Sequence, residues 1–143
     1  MIDKKVVDTE QLANFLIETD KRYASKSEAK ERYVVGEEVL IGEWVEGGVT
    51  YDLFRKVVDC GEMPNSGSKT VPHGITKFHK IVHVFGSINK SDNSNTLPLP
   101  FAATSANYNI YIAVGKSNIT LQPGSDRTGY LATVVIEFAR ARS

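Results

Sequence analysis

The chain has 143 residues, 41% of them hydrophobic and 24% charged, with 17 lysines and arginines against 17 aspartates and glutamates. That length suits one domain able to bury roughly 70% of its unfolded surface, and the balanced charge excludes the net positive field with which nucleic-acid binders collect phosphates. The single cysteine, Cys60, excludes an internal disulfide and a cysteine-rich metal site.

Residues 1–7 carry no clear pattern. Asp8-Thr9-Glu10-Gln11 has the spacing of a capping box, an N-cap acceptor followed three residues later by an amide side chain. Leu12, Leu16, Thr19 and Tyr23 follow at helical spacing with Phe15 beside them, and Ser25-Lys26-Ser27-Glu28 offers a second capping box. The pattern predicts two short helices or one broken helix within residues 1–36. Its apolar stripe can pack on the chain's own domain or join a parallel bundle of several chains, a stalk or anchor. On the residues alone both readings stay open; in a bundle, Leu12, Phe15, Leu16 and Tyr23 are candidate oligomer-interface residues. This acidic, amphipathic start lacks the apolar run of a signal peptide, and nothing reaches membrane-spanning length. Synthesis in the cytoplasm without membrane insertion is expected.

Glu37 to Gly61 holds two runs of β-type residues around Gly47-Gly48. Val39, Ile41 and Val45 recur at period two, with Leu40 and Trp44 pointing the other way. After the glycines, Val49, Tyr51, Leu53 and Val57 alternate with Thr50, Asp52, Phe54, Lys56 and Val58. A Gly-Gly pair supplies the positive φ angles of a tight turn, so a long hairpin is predicted. Apolar groups on both faces imply a core on one side and a second layer or another subunit on the other. Trp44 belongs to the core or to that interface.

Gly61–Ser68 is a loop by composition, and Lys69–Val71 a short strand ended by Pro72 and Gly74. His79, Ile81, His83 and Phe85 alternate with Lys80, Val82 and Val84, a strand by period and β-branching. Ser87–Asn95 is a polar excursion of the kind found at loop tips. Leu97–Phe101 alternates but carries two prolines, which exclude a central strand and point to a sheet edge or an extended cover. Ile110–Val114 and Ile119–Leu121 are strands joined by a turn at Gly115–Asn118. Tyr130–Ala139 is a long strand with Ala132, Val134, Ile136 and Phe138 on one face and Leu131, Thr133, Val135 and Glu137 on the other. The expected fold is mainly β: an antiparallel β-sandwich, jelly-roll-like, over residues 37–143, behind the helical segment 1–36.

The three histidines are the candidates for a metal site. His79 and His83 on one strand face would stand about 13 Å apart, too far for one ion, and His73, between Pro72 and Gly74, suits a structural hydrogen bond in a turn. Asp59, Glu62, Asp92 and Asp126 form no acid–base pair, Ser66 and Ser125 have no nucleophile-elbow context, and the glycines around Lys69 lack phosphate-loop spacing. No enzyme activity, metal or cofactor is expected. Sugars are held by an aromatic face with nearby amides and carboxylates. Asn107, Tyr108 and Asn109 at a strand entrance have that chemistry, as do Asp92 and Asn93 in the polar excursion, so these five are candidate ligand-binding residues.

The run EVLIGEWVEGG, the strand bearing Arg55-Lys56, then Gly61, Val71-Pro72-His73-Gly74-Ile75 and Phe78-His79-Lys80-Ile81-Val82, resembles the small C-terminal β-domains of bacteriophage fibre and receptor-binding proteins. There a "VIGTWIDGK" strand leads to "YRK", and a later "HGI" precedes another strand. The YASKSEAK segment is similar to the "YATK" helical necks that precede such domains, a likeness that favours the parallel bundle for the N-terminal segment. The likeness runs loosely from Val39 to the C-terminal strand and departs at Val49–Phe54. It implies a virion surface protein, a homotrimeric fibre or receptor-binding knob that contacts host-surface glycan and other virion proteins. Two alternatives share the residue pattern: a head fibre or capsid decoration protein docked by its N-terminal helices, and a stand-alone carbohydrate-binding module.

Overall fold

The structure, a computed structural model, describes residues 32–142. Most of the helical segment expected over residues 1–36, with Leu12, Phe15, Leu16 and Tyr23, lies outside the described residues; residues 32–36, which are described, are not helical, and Val35 bridges Val57 of the domain instead. The rest is mainly β. In chain order come β1 (Glu38–Glu46), β2 (Val49–Glu62), β3 (Lys69–Pro72), β4 (Lys80–Lys90), β5 (Thr96–Leu99), a 3₁₀ turn at Ala106–Tyr108, β6 (Ile110–Val114), β7 (Asn118–Pro123) and β8 (Tyr130–Ala141).

These strands form a five-stranded sheet, β1-β2-β8-β4-β5, and a three-stranded sheet, β3-β7-β6. Every neighbouring pair is antiparallel. Consecutive strands β2 and β3 lie in opposite sheets, and so do β7 and β8, which pair with them in nested fashion. The inner faces of both sheets meet in one core. Val58, Ile88, Ala132, Val134, Ile136 and Phe138 come from the larger sheet and Ile110, Ile119 and Leu121 from the smaller, with Met63, Ile75 and Leu99 closing the ends. Burying a side chain of the size of Phe138 or Leu121 stabilises the fold by roughly 1.5–3 kcal/mol. β8 supplies four core residues because its alternation runs unbroken through the sheet centre, as its sequence pattern predicts.

Gly47 and Gly48 adopt φ of 59° and 78°, the pair of left-handed angles a two-residue hairpin turn requires. Three bulges then alter the expected faces. The register of β1 slips between Leu40 and Gly42, so Val39, opposite Arg55, and Trp44, opposite Tyr51, share the outer face. The sequence pattern had set them on opposite faces. A second slip in β4, between Ile81 and His83, turns Ile81 inward beside Phe138 while His83 faces outward beside Glu137. A third, between Asp59 and Gly61, buries Cys60. One extra residue on one strand reverses the parity of everything beyond it.

β4 also runs longer than its apolar alternation suggests, to Lys90, and pairs with β5. The polar excursion is thereby shortened to the tip around Ser91–Asn95. Pro98 sits in β5 at the sheet edge, where the missing N–H costs no ladder bond.

Candidate functional site

The outer face of the five-stranded sheet carries two polar–aromatic clusters. At its centre, Arg55 (β2), Glu137 (β8) and His83 (β4) stand side by side across three strands. Arg55 Nε donates to Glu137 Oε2 at 3.2 Å, and His83 Nδ1 donates to Glu137 Oε1 at 3.2 Å. Arg55 is buried, because Tyr33 lies over it with the guanidinium carbon 4.1 Å from the ring centroid. Arg55 Nη1 also donates to the Arg32 carbonyl. The chain thus reaches the domain across this face, turns at Gly36 (φ 84°), whose amide donates to Val57, and enters β1.

Nearer the β1–β2 turn, Glu46 collects three donors: His79 Nε2 at 3.0 Å, Lys80 Nζ at 3.0 Å and Trp44 Nε1 at 3.1 Å. These hydrogen bonds, His79's foremost, hold the Glu46 carboxyl at about 2 instead of its ordinary 4.5. His79 stacks on Tyr51, ring centroids 4.1 Å apart and planes 8° from parallel. His83 packs on Phe85 at 4.7 Å. Each histidine thus has one aromatic and one carboxylate neighbour. Around the clusters, Tyr33, Val49 and Leu131 remain 58%, 50% and 48% exposed.

The five sequence-derived ligand candidates gather at the opposite end of the sandwich. The 3₁₀ turn holding Asn107 and Tyr108 opens directly into β6, with Asn109 between them. Asn109 Oδ1 accepts the Ala103 amide at 2.7 Å, and its carbonyl accepts the Gly124 amide. Asp92 Oδ1 accepts the Ser94 amide at 2.9 Å, and Asn93 takes φ of 62° in the tight tip. Hydrogen bonds from Ser94 hold Asp92 below the usual carboxylate range, and those from Thr128 do the same for Asp126.

The loop between β7 and β8 ties these two groups together. Ser91 donates to the Gly129 carbonyl, and Arg127 Nη2 donates to the Tyr108 carbonyl. Beside them a shallow depression of about 330 Å³ is lined by Ala106, Asn109, Tyr111, Gln122, Pro123 and Gly124. Tyr111 and Gln122 are register partners on the exposed face of the small sheet. Sequence reasoning missed them; the alternation of β6 against Ile110 and Ile112 carried the signal that Tyr111 faces outward.

His73 has the structural role its turn context suggests. Its Nδ1 accepts the Ile75 amide at 3.0 Å and its Nε2 donates to the Gly115 carbonyl at 2.9 Å. Among the described residues no group of three or more histidine, cysteine or acidic side chains is placed to hold a metal ion. Cys60 is buried and desolvation pushes its thiol up to about 11, an unreactive setting.

Compared with known proteins, the chain matches no family model, no curated protein and no solved structure.

Proposed function

We propose that this protein is a non-catalytic virion surface component. It is a jelly-roll-like β-domain that assembles with copies of itself, in a homotrimer, through the outer face of its five-stranded sheet. The observation that carries the reading is the character of that face. It combines aromatic and aliphatic side chains that stay substantially exposed, Tyr33, Val49 and Leu131, with rings held rigid by hydrogen bonds and stacking at Trp44, Tyr51 and His79. Preordered aromatic surface loses little entropy on contact, and covering it with an identical copy removes it from water. The threefold count and the virion location rest on the resemblance in sequence. The nested pairing of β2 with β8 and β3 with β7 supports the jelly-roll-like description.

The glycan contact belongs, in this reading, to the other end. There Asn109 lines the depression with Tyr111 and Gln122, Asn107 and Tyr108 lie in the adjoining 3₁₀ turn, and Asp92 and Asn93 are at the neighbouring tip. An exposed ring beside amides suits a sugar's apolar face and hydroxyls together, and three copies would bind multivalently.

Light scattering on the full chain tests the assembly. A particle of three times the 15.8 kDa chain mass is expected, falling to one chain mass when Val49→Glu and Leu131→Glu are combined. A full-length monomer would overturn the trimer, and glycan binding by that monomer would favour a stand-alone carbohydrate-binding module.

A further inference from the structure

A second cavity, unrelated to the outer face and to the five loop residues, opens between the β3–β4 connection and the β6–β7 turn. It measures about 640 Å³ and is lined by Ile75, Phe78, Ile81 and Val114, with Lys77 and Lys116 among the lining polar groups. That volume lies within the span of small-molecule sites, roughly 300–1,000 Å³.

The cavity has two backbone walls, and both are fixed. One is the connection between β3 and β4, residues 73–79; the other is the turn at Gly115–Ser117. Buried His73 joins them. Its ring bonds the Gly115 carbonyl on one side and the Ile75 amide on the other, and its own amide donates to the Ser117 carbonyl at 3.1 Å. Phe78 packs edge-on against the His73 ring. Arg140 Nη2 donates to the Thr76 carbonyl at 2.8 Å while its Nη1 pairs with Glu38, so the first wall is also anchored to β8 and β1. These contacts hold the space open without a ligand.

Its chemistry is one-sided. Ile75 is buried and forms the floor, with Phe78, Ile81 and Val114 half-buried around it. No carboxylate lines the cavity. Lys77 and Lys116 come from the two opposite walls, both are exposed, and neither has an ion-pair partner among the described residues. Lys77 adopts φ of 53°, a left-handed conformation that a lysine rarely takes and that the wall's anchoring imposes.

An apolar floor with two uncompensated ammonium groups on its walls complements one kind of molecule. We propose that this cavity binds a small amphipathic anion, an apolar body of short-chain or single-ring size bearing one carboxylate. The apolar body covers Phe78, Ile81 and Val114, and the carboxylate lies between Lys77 and Lys116, where lysines act as point charges at the mouth of a low-dielectric pocket. The proposal is independent of the assembly reading, since neither lysine lies on the outer face of the large sheet.

The test is a titration of the ¹⁵N-labelled full-length protein with octanoate, octyl phosphate, octanol and octylammonium, each below its micelle concentration. Octanoate is expected to shift the amides of Lys77, Phe78 and Gly115–Ser117, to bind at least tenfold more tightly than octanol, and to outbind octylammonium by more. Lys77→Glu combined with Lys116→Glu, both at exposed positions, should abolish that preference while leaving octanol unchanged. Equal binding of octanoate and octanol, shifts that map elsewhere, or an unaltered preference in the double variant would overturn the proposal. Octyl phosphate binding more tightly than octanoate would overturn the assignment of a carboxylate.

Discussion

Arg55 and Glu137 face each other across β2 and β8 as register partners, their side chains 3.2 Å apart and both largely withdrawn from water. A charge pair at the centre of a sheet face, covered by Tyr33, costs desolvation on both sides and is retained by its hydrogen bonds, including the one from His83 to Glu137. Removing one member leaves the other buried with its compensation reduced. Arg55→Met is expected to destabilise the protein by about 3 kcal/mol and Glu137→Gln by about 1–2 kcal/mol. The double variant should lose less than the sum, since both changes break one interaction. Urea unfolding of the three variants measures this, and strict additivity would show that the two residues act separately.

The acid side of the stability curve should carry the mark of Glu46. Its carboxyl is depressed in the folded state from 4.5 to about 2 by bonds from His79, Lys80 and Trp44. A depressed carboxylate stabilises fully above its unfolded pKa, and that contribution disappears as pH falls through the folded value. Asp92 and Asp126 are shifted in the same direction. Stability should therefore fall between about pH 4.5 and pH 2, and Glu46→Gln should flatten the slope in that window while leaving it unchanged above pH 6. Urea midpoints collected across the range, on wild type and variant, decide it; parallel curves would mean that Glu46 contributes nothing.

Three glycines should respond very differently to a single added methyl. At Gly86, in the middle of β4, a Cβ would run into the backbone carbonyl of Thr133 on β8. At Gly124 it would meet the carbonyl oxygens of Asn107 and Ala106 at 2.6 and 2.9 Å. At Gly115 the nearest atom is 3.8 Å away, ordinary contact. Gly86→Ala is expected to cost about 3 kcal/mol or more, Gly124→Ala about 1–3 kcal/mol with displacement of the 3₁₀ turn, and Gly115→Ala under about 0.5 kcal/mol. Thermal unfolding ranks them, and amide shifts at Ala106–Asn109 report the turn.

Cys60 should be silent until the fold opens. The bulge buries its thiol, and desolvation raises it to about 11, so at pH 8 only about a thousandth is thiolate. Reaction with a disulfide reagent is expected to be at least a hundredfold slower in the native protein than in guanidinium. Equal rates would show that the Asp59–Gly61 bulge opens readily.

Much of the architecture was legible from residue pattern, and the reasons are local. β8 alternates without interruption, so the sharing of one face by Ala132, Val134, Ile136 and Phe138 follows from parity, and the structure identifies that face as the one turned to the core. Gly47-Gly48 dictates its own turn because few other residues tolerate both angles. The polar group Asn107–Asn109 was recognisable as a loop at a strand entrance, and its fixation by Gly124 and Arg127 from the β7–β8 loop was not.

What the sequence determined by itself is therefore the set of strands, their turns and which residues share a face wherever alternation is unbroken. These depend on side-chain period and on backbone angles within a few residues. Only the tertiary structure decided which strand pairs with which, and where Ile41, Cys60 and Val82 interrupt the register. It also decided that Lys77 and Lys116, thirty-nine positions apart, line one apolar cavity. Pairing between distant segments is selected by the total burial it permits, and a bulge appears where two strands of unequal curvature must stay hydrogen-bonded. Neither quantity is a property of any short stretch, which is why the outer-face clusters and the cavity beside His73 emerged only when the sheets were closed on each other.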